Sequence, residues 1–202
     1  MQQKYILTPN LYDGSQLRHL FAYLDHNILG DSIVSWRGAC DIAKDKIIDG
    51  QDLKDNSIIT SQEMLHFIIE KFNSTLFSGV ALQRIFVSLI KEDMQERGFF
   101  LKRKGDDLYF SPENTSKNTS TSKKNTSEKK FNISIATQSN TSSMIHLAVN
   151  ITTKGTPIPT ISLNDFNICS DEEIKTLSEK WMNLFACEVD SITKATQKVF
   201  LI

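Results

Sequence analysis

Few residues in this chain offer chemistry on their own. The four histidines, His19, His26, His66 and His146, and the three cysteines, Cys40, Cys169 and Cys187, show no metal-ligand spacing. Asp41, Asp45, Asp49, Asp52 and Asp55 are scattered irregularly among lysines and lack the spacing of a calcium loop, so they read as a solvated, mixed-charge connection and no metal site is expected. There is no phosphate-cradling glycine loop, no Gly-x-Ser-x-Gly and no Cys-x-x-Cys. Arg37-Gly38 is more suggestive. Its glycine permits close backbone approach and its guanidinium can grip an anion, although the local sequence favours an ordinary turn with a solvated arginine. His66 lies in an apolar run, where a lone histidine reads as a hydrogen-bonded core side chain. Lys130 ends a lysine-rich tract and Cys169 precedes a helix start; a solvated lysine and a small buried thiol account for them.

The elements that would position these residues are legible in outline. Lys4–Thr8 is a short strand stopped by Pro9. Asp13-Gly14-Ser15 opens a helix with Leu17, Leu20, Phe21, Leu24 and Ile28 on one face, ending near Gly30. Ser32–Trp36 is a strand followed by a loop at 37–41, and Ser57-Ile58-Ile59 is a short strand that can pair with Ile47-Ile48. Thr60 and Glu63 have capping-box spacing, and Met64, Leu65, Phe67, Ile68, Ile69 and Phe72 recur as on a helix. A second helix is expected over Gly79–Arg97, packed beside the first. Phe99–Arg103 and Asp107–Phe110 form a hairpin around Gly105. Phe131–Ala136 alternates with a period of two, with Phe131, Ile133 and Ile135 on the buried face, and Met144–Ile151 is a nearly continuous apolar strand covered on both sides. These four strands form a β-meander. Residues 111–129 are almost free of apolar side chains and read as a disordered polar insertion whose Lys117, Lys123, Lys124 and Lys129 are solvated. After the turn-prone 155–160, Ser170-Asp171-Glu172-Glu173 is a second capping box. It starts a helix carrying Ile174, Leu177, Trp181, Phe185 and Val189.

Composition bounds the function. The chain of 202 residues is expected to be a single α+β domain over 1–202. A net charge of −1 argues against a general nucleic-acid binder. No apolar run approaches the ~20 residues of a membrane span. The sparse, odd cysteine set and the absence of an export signal predict a cytoplasmic protein. A homo-oligomer remains open.

Gly105-Asp106-Asp107-Leu108-Tyr109, Lys129-Lys130-Phe131-Asn132-Ile133-Ser134-Ile135 and His146-Leu147-Ala148-Val149-Asn150-Ile151 resemble the core of the biotin and lipoate protein ligases. That resemblance implies a class II aminoacyl-tRNA-synthetase-like fold, an antiparallel sheet flanked by helices. It matches Lys130 to the strand lysine that contacts acyl group and phosphate. Asp107, beside Asp106, matches the turn aspartate that helps hold ATP and magnesium, and Arg37-Gly38 corresponds to the substrate loop. Two departures stand out: no glycine-rich adenylate loop is present, and Ile133-Ser134 replaces the Gly-Gly that often follows the lysine. Octanoyltransferases of the same fold are similar in another way. Lys130, His146, Asn150 and Cys169 follow their order, which implies a thiol nucleophile activated by a nearby ammonium, though Cys169 lacks the Pro-Cys-Gly context.

The whole chain most resembles the archaeal and bacterial family called domain of unknown function 366. The segments that carry this are Tyr12–Arg18, Gly30–Val34 with Arg37-Gly38, Met64–Ile68, Gly105–Tyr109, Ser134–Thr137 and Gly155–Thr160. This resemblance implies a fold related to the ligases and no established activity; the ligase-like core is what implies a small-molecule site, for a carboxylate or an acyl-nucleotide, and acyl or adenylyl transfer with ATP and magnesium if the chain is a ligase. The alternative is a non-catalytic ligand-binding or protein-interaction domain that kept the fold.

Overall fold

The most apolar run in the sequence lies at the centre of the main sheet. The computed structural model describes residues 1–111 and 128–200. The expected insertion falls largely outside the described residues, with Lys117, Lys123 and Lys124. The main sheet contains β1 (Gln2–Ile6), β2 (Ser32–Ile42), β3 (Ile59–Phe72), β7 (Asn132–Gln138) and β8 (Ser142–Asn150), in the order β1-β2-β3-β8-β7. All neighbours are antiparallel except β1, which runs parallel to β2. A smaller sheet is built from β4 (Leu101–Lys104), β5 (Asp107–Phe110) and β6 (Lys129–Lys130).

The 14-residue β3 corrects the helix that its spacing predicts. Nearly every position from Met64 to Ile69 is apolar, so the run satisfies a helical and an extended period alike. Tertiary contact decides: Met64–Ile69 is buried throughout, between β2 and β8. The apparent capping box has other partners. Thr60 Oγ1 donates to the Gly155 carbonyl at 2.7 Å, and Glu63 accepts from Arg37 at 2.5 Å. Ile59 pairs with Ile42 on β2, not with Ile47-Ile48. Arg37-Gly38 also lies within β2, where a loop is expected. Gly38 serves close approach: a Cβ there would sit 1.8 Å from the Asn10 carbonyl oxygen. Residues 10–12 run along β2, with Tyr12 N–H donating to Ala39 O at 2.9 Å and Trp36 Nε1 to Asn10 O at 2.9 Å.

The helix expected after Asp13 shrinks to α1 (Phe21–His26). Leu20 has φ 62°, which ends any helix before it, and its N–H donates to both Glu70 carboxylate oxygens at 3.1 and 3.2 Å. A short α2 (Gly50–Asp55) follows, capped by the Asp49 carboxylate on the N–H of Gln51 and Asp52. The two long helices match their local signals. In α3 (Leu76–Glu96), Thr75 caps by accepting from Ser78 N–H, and Gly98 follows with φ 89°. In α4 (Asp171–Thr196), the Ser170–Glu173 capping box is complete and three acids occupy the first turn, where they offset the helix dipole.

The expected meander is divided between the two sheets. Phe131 is the crossing point: its N–H donates to Leu108 O at 2.8 Å in the small sheet, and its carbonyl accepts from Asn150 N–H at 3.0 Å in the large one. Asn132 ties the junction. Its Oδ1 accepts from Leu108 N–H at 2.7 Å and its Nδ2 donates to Asp106 O at 2.9 Å.

The two faces of the main sheet differ. Ile33, Leu65, Phe67, Ile69, Ile145, Leu147 and Val149 meet α3 and α4 in one apolar core, where Phe67 packs edge-on against Phe86 and near Trp181. The other face carries Trp36, Cys40, Met64, Ile68 and Ala148 beneath Tyr12 and Phe21. Ile133 and Ile135 are only half-buried, because they project over this second face rather than into the helix-covered core where Phe131 lies.

Candidate functional site

The second face opens into a cavity of about 430 Å³. Its floor is Met64, Ile133, Ile135 and His146 from the sheet. One wall comes from the segment around α2, through Ile47, Ile48, Ile58 and Ile59, and the other from Thr156, Pro157, Ile158 and Thr160. Ile48, Ile58 and Ile158 are half or more exposed, so the rim is apolar. An apolar lining with a few polar groups is the usual character of a small-molecule site, and the volume lies within the ~300–1,000 Å³ such sites occupy.

Lys130 lines this cavity, with its side chain 22% exposed. Its Nζ lies 2.9 Å from Asp107 Oδ2, and the Tyr109 hydroxyl donates to the same oxygen at 3.1 Å. Burial raises the Asp107 carboxyl above the usual carboxylate range, against the pull of the Lys130 ammonium; burial likewise pushes the Tyr109 hydroxyl up to about 12. The backbone at 130 is fixed on both sides. Lys130 N–H donates to Pro159 O, and its carbonyl accepts from Ile161 N–H, both at 3.0 Å. Asn150 also lines the cavity, but its amide is spent on the carbonyls of Phe131 and Lys130, at 3.0 and 3.3 Å. Asn150 therefore holds the strand that carries the ammonium. His146 lies on the floor against Tyr12, ring centroids 3.6 Å apart and planes 11° apart. Lys46 enters from the α2 side, paired with Asp13 at 2.5 Å.

The remaining sequence candidates lie elsewhere. Arg37 points to the helix-covered face, where Glu63 and Asp171 engage its guanidinium. Side chains alternate along a strand, and residue 37 has the opposite parity to Trp36, which faces Tyr12. Gly38 is covered by Asn10. Asp106 turns toward α3, where its carboxylate accepts from Gln83 Nε2 at 3.0 Å and Ser134 Oγ at 2.9 Å. Cys169 is exposed before α4, with Sγ 3.9 Å from Asn164 O, and is not among the cavity residues. Of the sequence candidates, Lys130, His146 and Asn150 line the cavity and Asp107 pairs with Lys130, whereas Arg37, Gly38, Asp106 and Cys169 are not among its lining residues. The acidic turn is not arranged as a magnesium–nucleotide site as it stands: Asp106 Oδ2 accepts from Gln83 and Ser134, and Asp107 Oδ2 is engaged by Lys130 and Tyr109.

Sequence reasoning missed Tyr12, Lys46 and both walls. Their signal is faint but real: Ile47-Ile48 and Ile58-Ile59 are apolar pairs within an otherwise charged connection.

The sequence matches, over residues 1–200, the family model described as "Domain of unknown function (DUF366)". An uncharacterized protein of Methanocaldococcus jannaschii is 30% identical over 193 residues, covering 93% of this chain and 79% of that one. A solved protein of unknown function from Pyrococcus horikoshi superposes with TM-score 0.85 at 28% identity, covering both chains in full. The bipartite lipoate protein ligase of Thermoplasma acidophilum follows with TM-score 0.56 at 10% identity over 92% of this chain and 83% of that one. The biotin-bound biotin protein ligase of Aquifex aeolicus has TM-score 0.56 at 13% identity, over 93% and 71%. At such identities the ligases share the fold with this chain: a mixed sheet flanked by helices, of the biotin/lipoate protein ligase type.

Proposed function

The chain belongs to the DUF366 family and has the fold of the biotin and lipoate protein ligases; on that basis we propose that it binds a small carboxylate, or the corresponding acyl-nucleotide, in the cavity beside Lys130. The observation that carries this is the Lys130 ammonium at the edge of a cavity with an apolar floor, its backbone held by Pro159, Ile161 and Asn150. An apolar body would lie over Met64, Ile133 and Ile135 while the anionic end exchanges for Asp107 at Lys130. Burial already disfavours the charged form of Asp107, which eases that exchange. The whole chain, 1–202, is taken as one binding domain, and a cytoplasmic setting suits such a ligand.

Titration of octanoate, lipoate and biotin, followed by calorimetry and by the amide resonances of the cavity walls, tests this reading. Binding by at least one of them, weakened about tenfold or more in Lys130→Met, is the expected result, since a charge-assisted hydrogen bond contributes about 1.5–3 kcal/mol. Saturable binding untouched by that substitution would remove Lys130 from the site.

A second reading, acyl or adenylyl transfer, draws on the match between Lys130 and the ligases' strand lysine. Asp106 and Asp107 would first have to leave their present partners. Pyrophosphate release from ATP and magnesium in the presence of octanoate or lipoate, abolished in Lys130→Ala, would establish it. Cys169 lies away from the cavity and Arg37 on the far face, so neither enters the scheme.

A further inference from the structure

His146 on the cavity floor is bonded to a second buried imidazole, His66, and a carbonyl fixes the protons of both. His66 Nε2 lies 3.1 Å from Gly38 O. A carbonyl only accepts, so His66 Nε2 carries the proton. A neutral imidazole has one N–H, which leaves His66 Nδ1 as an acceptor. His146 Nε2, 3.2 Å from that atom, must then be the donor. The same count leaves His146 Nδ1 as a bare lone pair.

Three further observations hold this arrangement in place. His66 and His146 are 0% and 1% exposed, and burial drives the His66 imidazolium down to about 4 and that of His146 well below its usual range, so both rings are neutral near pH 7. Tyr12 stacks on His146 with ring centroids 3.6 Å apart, and turning the ring over would break its bond to His66. His146 lines the cavity, and its Nδ1 has no hydrogen-bond partner among the described residues. The one enclosed side-chain nitrogen or oxygen left without a partner among those residues is Ser32 Oγ, so His146 Nδ1 is not fully enclosed, and the cavity is the open space that this residue lines.

We propose that His66 locks His146 as an obligate hydrogen-bond acceptor on the cavity floor, and that the ligand therefore carries an N–H or O–H donor, of amide or hydroxyl type, on its apolar body. The inference rests on the reading of this cavity as a ligand site. It adds a specificity element to that of Lys130. His66 is a positioning residue: it does not line the cavity but decides which nitrogen of His146 faces the ligand.

The test uses the full chain labelled with ¹⁵N-histidine and three matched probes: octanamide, methyl octanoate and octanoate. Without ligand, His146 should show an unprotonated Nδ1 and a protonated Nε2 at neutral pH. Octanamide should move the Nδ1 resonance and bind about three- to tenfold more tightly than the ester, which lacks the N–H. His146→Gln, whose side-chain carbonyl can still accept, should keep that preference. His66→Leu should mix the His146 tautomers and reduce it; if that variant does not fold, the wild-type tautomer and His146→Gln decide. A protonated Nδ1 overturns the proposal. So do equal affinities for amide and ester with Nδ1 unmoved, and if octanoate still shifts resonances around Lys130, the ligand site survives without the donor requirement. Failure of all three probes to perturb the cavity walls defeats the site itself and the inference with it.

Discussion

The same strands build two unlike faces. On one, Leu65, Phe67 and Leu147 are sealed beneath α3 and α4, and aromatic edges fill the space. On the other, the alternate residues Met64, His66, His146 and Ala148 lie beneath Tyr12 and a thin cover of short segments, and a cavity remains. Parity along the strand allots each residue to one face. The contrast separates two tasks: the helix side supplies packing, while the cavity side keeps polar groups buried at some expense of stability. There burial shifts Asp107, His66 and His146 toward their neutral forms, and Asp107 is paired with Lys130.

The largest effect should come from the helix side. Phe67→Ala removes a fully buried ring between Phe86 and Trp181 and should cost about 3–5 kcal/mol in urea unfolding, whatever ligand is present. A cost below about 1 kcal/mol would mean the core is not packed as described. Gly38→Ala comes next. Its Cβ collides with the Asn10 backbone, so the segment that seats Tyr12 must move, with an expected loss of about 3 kcal/mol and a changed near-ultraviolet signal from Trp36. Normal stability with unchanged Trp36 spectra would show that residues 10–12 are not anchored there.

The cavity side should respond to pH where the helix side does not. The His66 pKa is about 4 in the folded chain against about 6.5 unfolded, so below pH 6.5 the unfolded chain takes up a proton that the native one refuses. Stability is therefore full above about 6.5 and falls as pH drops toward 4. Between about pH 6.5 and 5 His66 alone should cost roughly 2 kcal/mol, and His146 acts in the same direction. A flat urea midpoint across that window would contradict the burial of the pair. The smallest effect on folding belongs to the cavity edge. Lys130→Met breaks a part-exposed ion pair and should change stability by less than about 1 kcal/mol while weakening carboxylate binding. The reverse pattern would make Lys130 a structural residue.

Residues near one another in sequence were the easiest to read. The hairpin at Gly105, the cap at Ser170 and the burial of Met144–Ile151 follow from short-range signals. Much of the site did not. His66 reads as a core histidine, which it is, but its partner lies 80 residues away on a strand whose neighbour has the apolar spacing of a helix. Arg37 and Lys130 look like companions by resemblance, yet a one-residue change of parity sends a side chain to the other face of a sheet.

By itself the sequence determined α3, α4, the β4–β5 hairpin and the buried β8. Caps, a left-handed glycine and apolar periodicity act within a few residues, and their energies are local. Only the tertiary structure made Ile59–Phe72 a strand, split the meander at Phe131 and brought His66 to His146. Those outcomes depend on which distant segments pair, and an apolar run that can be buried in either conformation takes the one its neighbours in space complete.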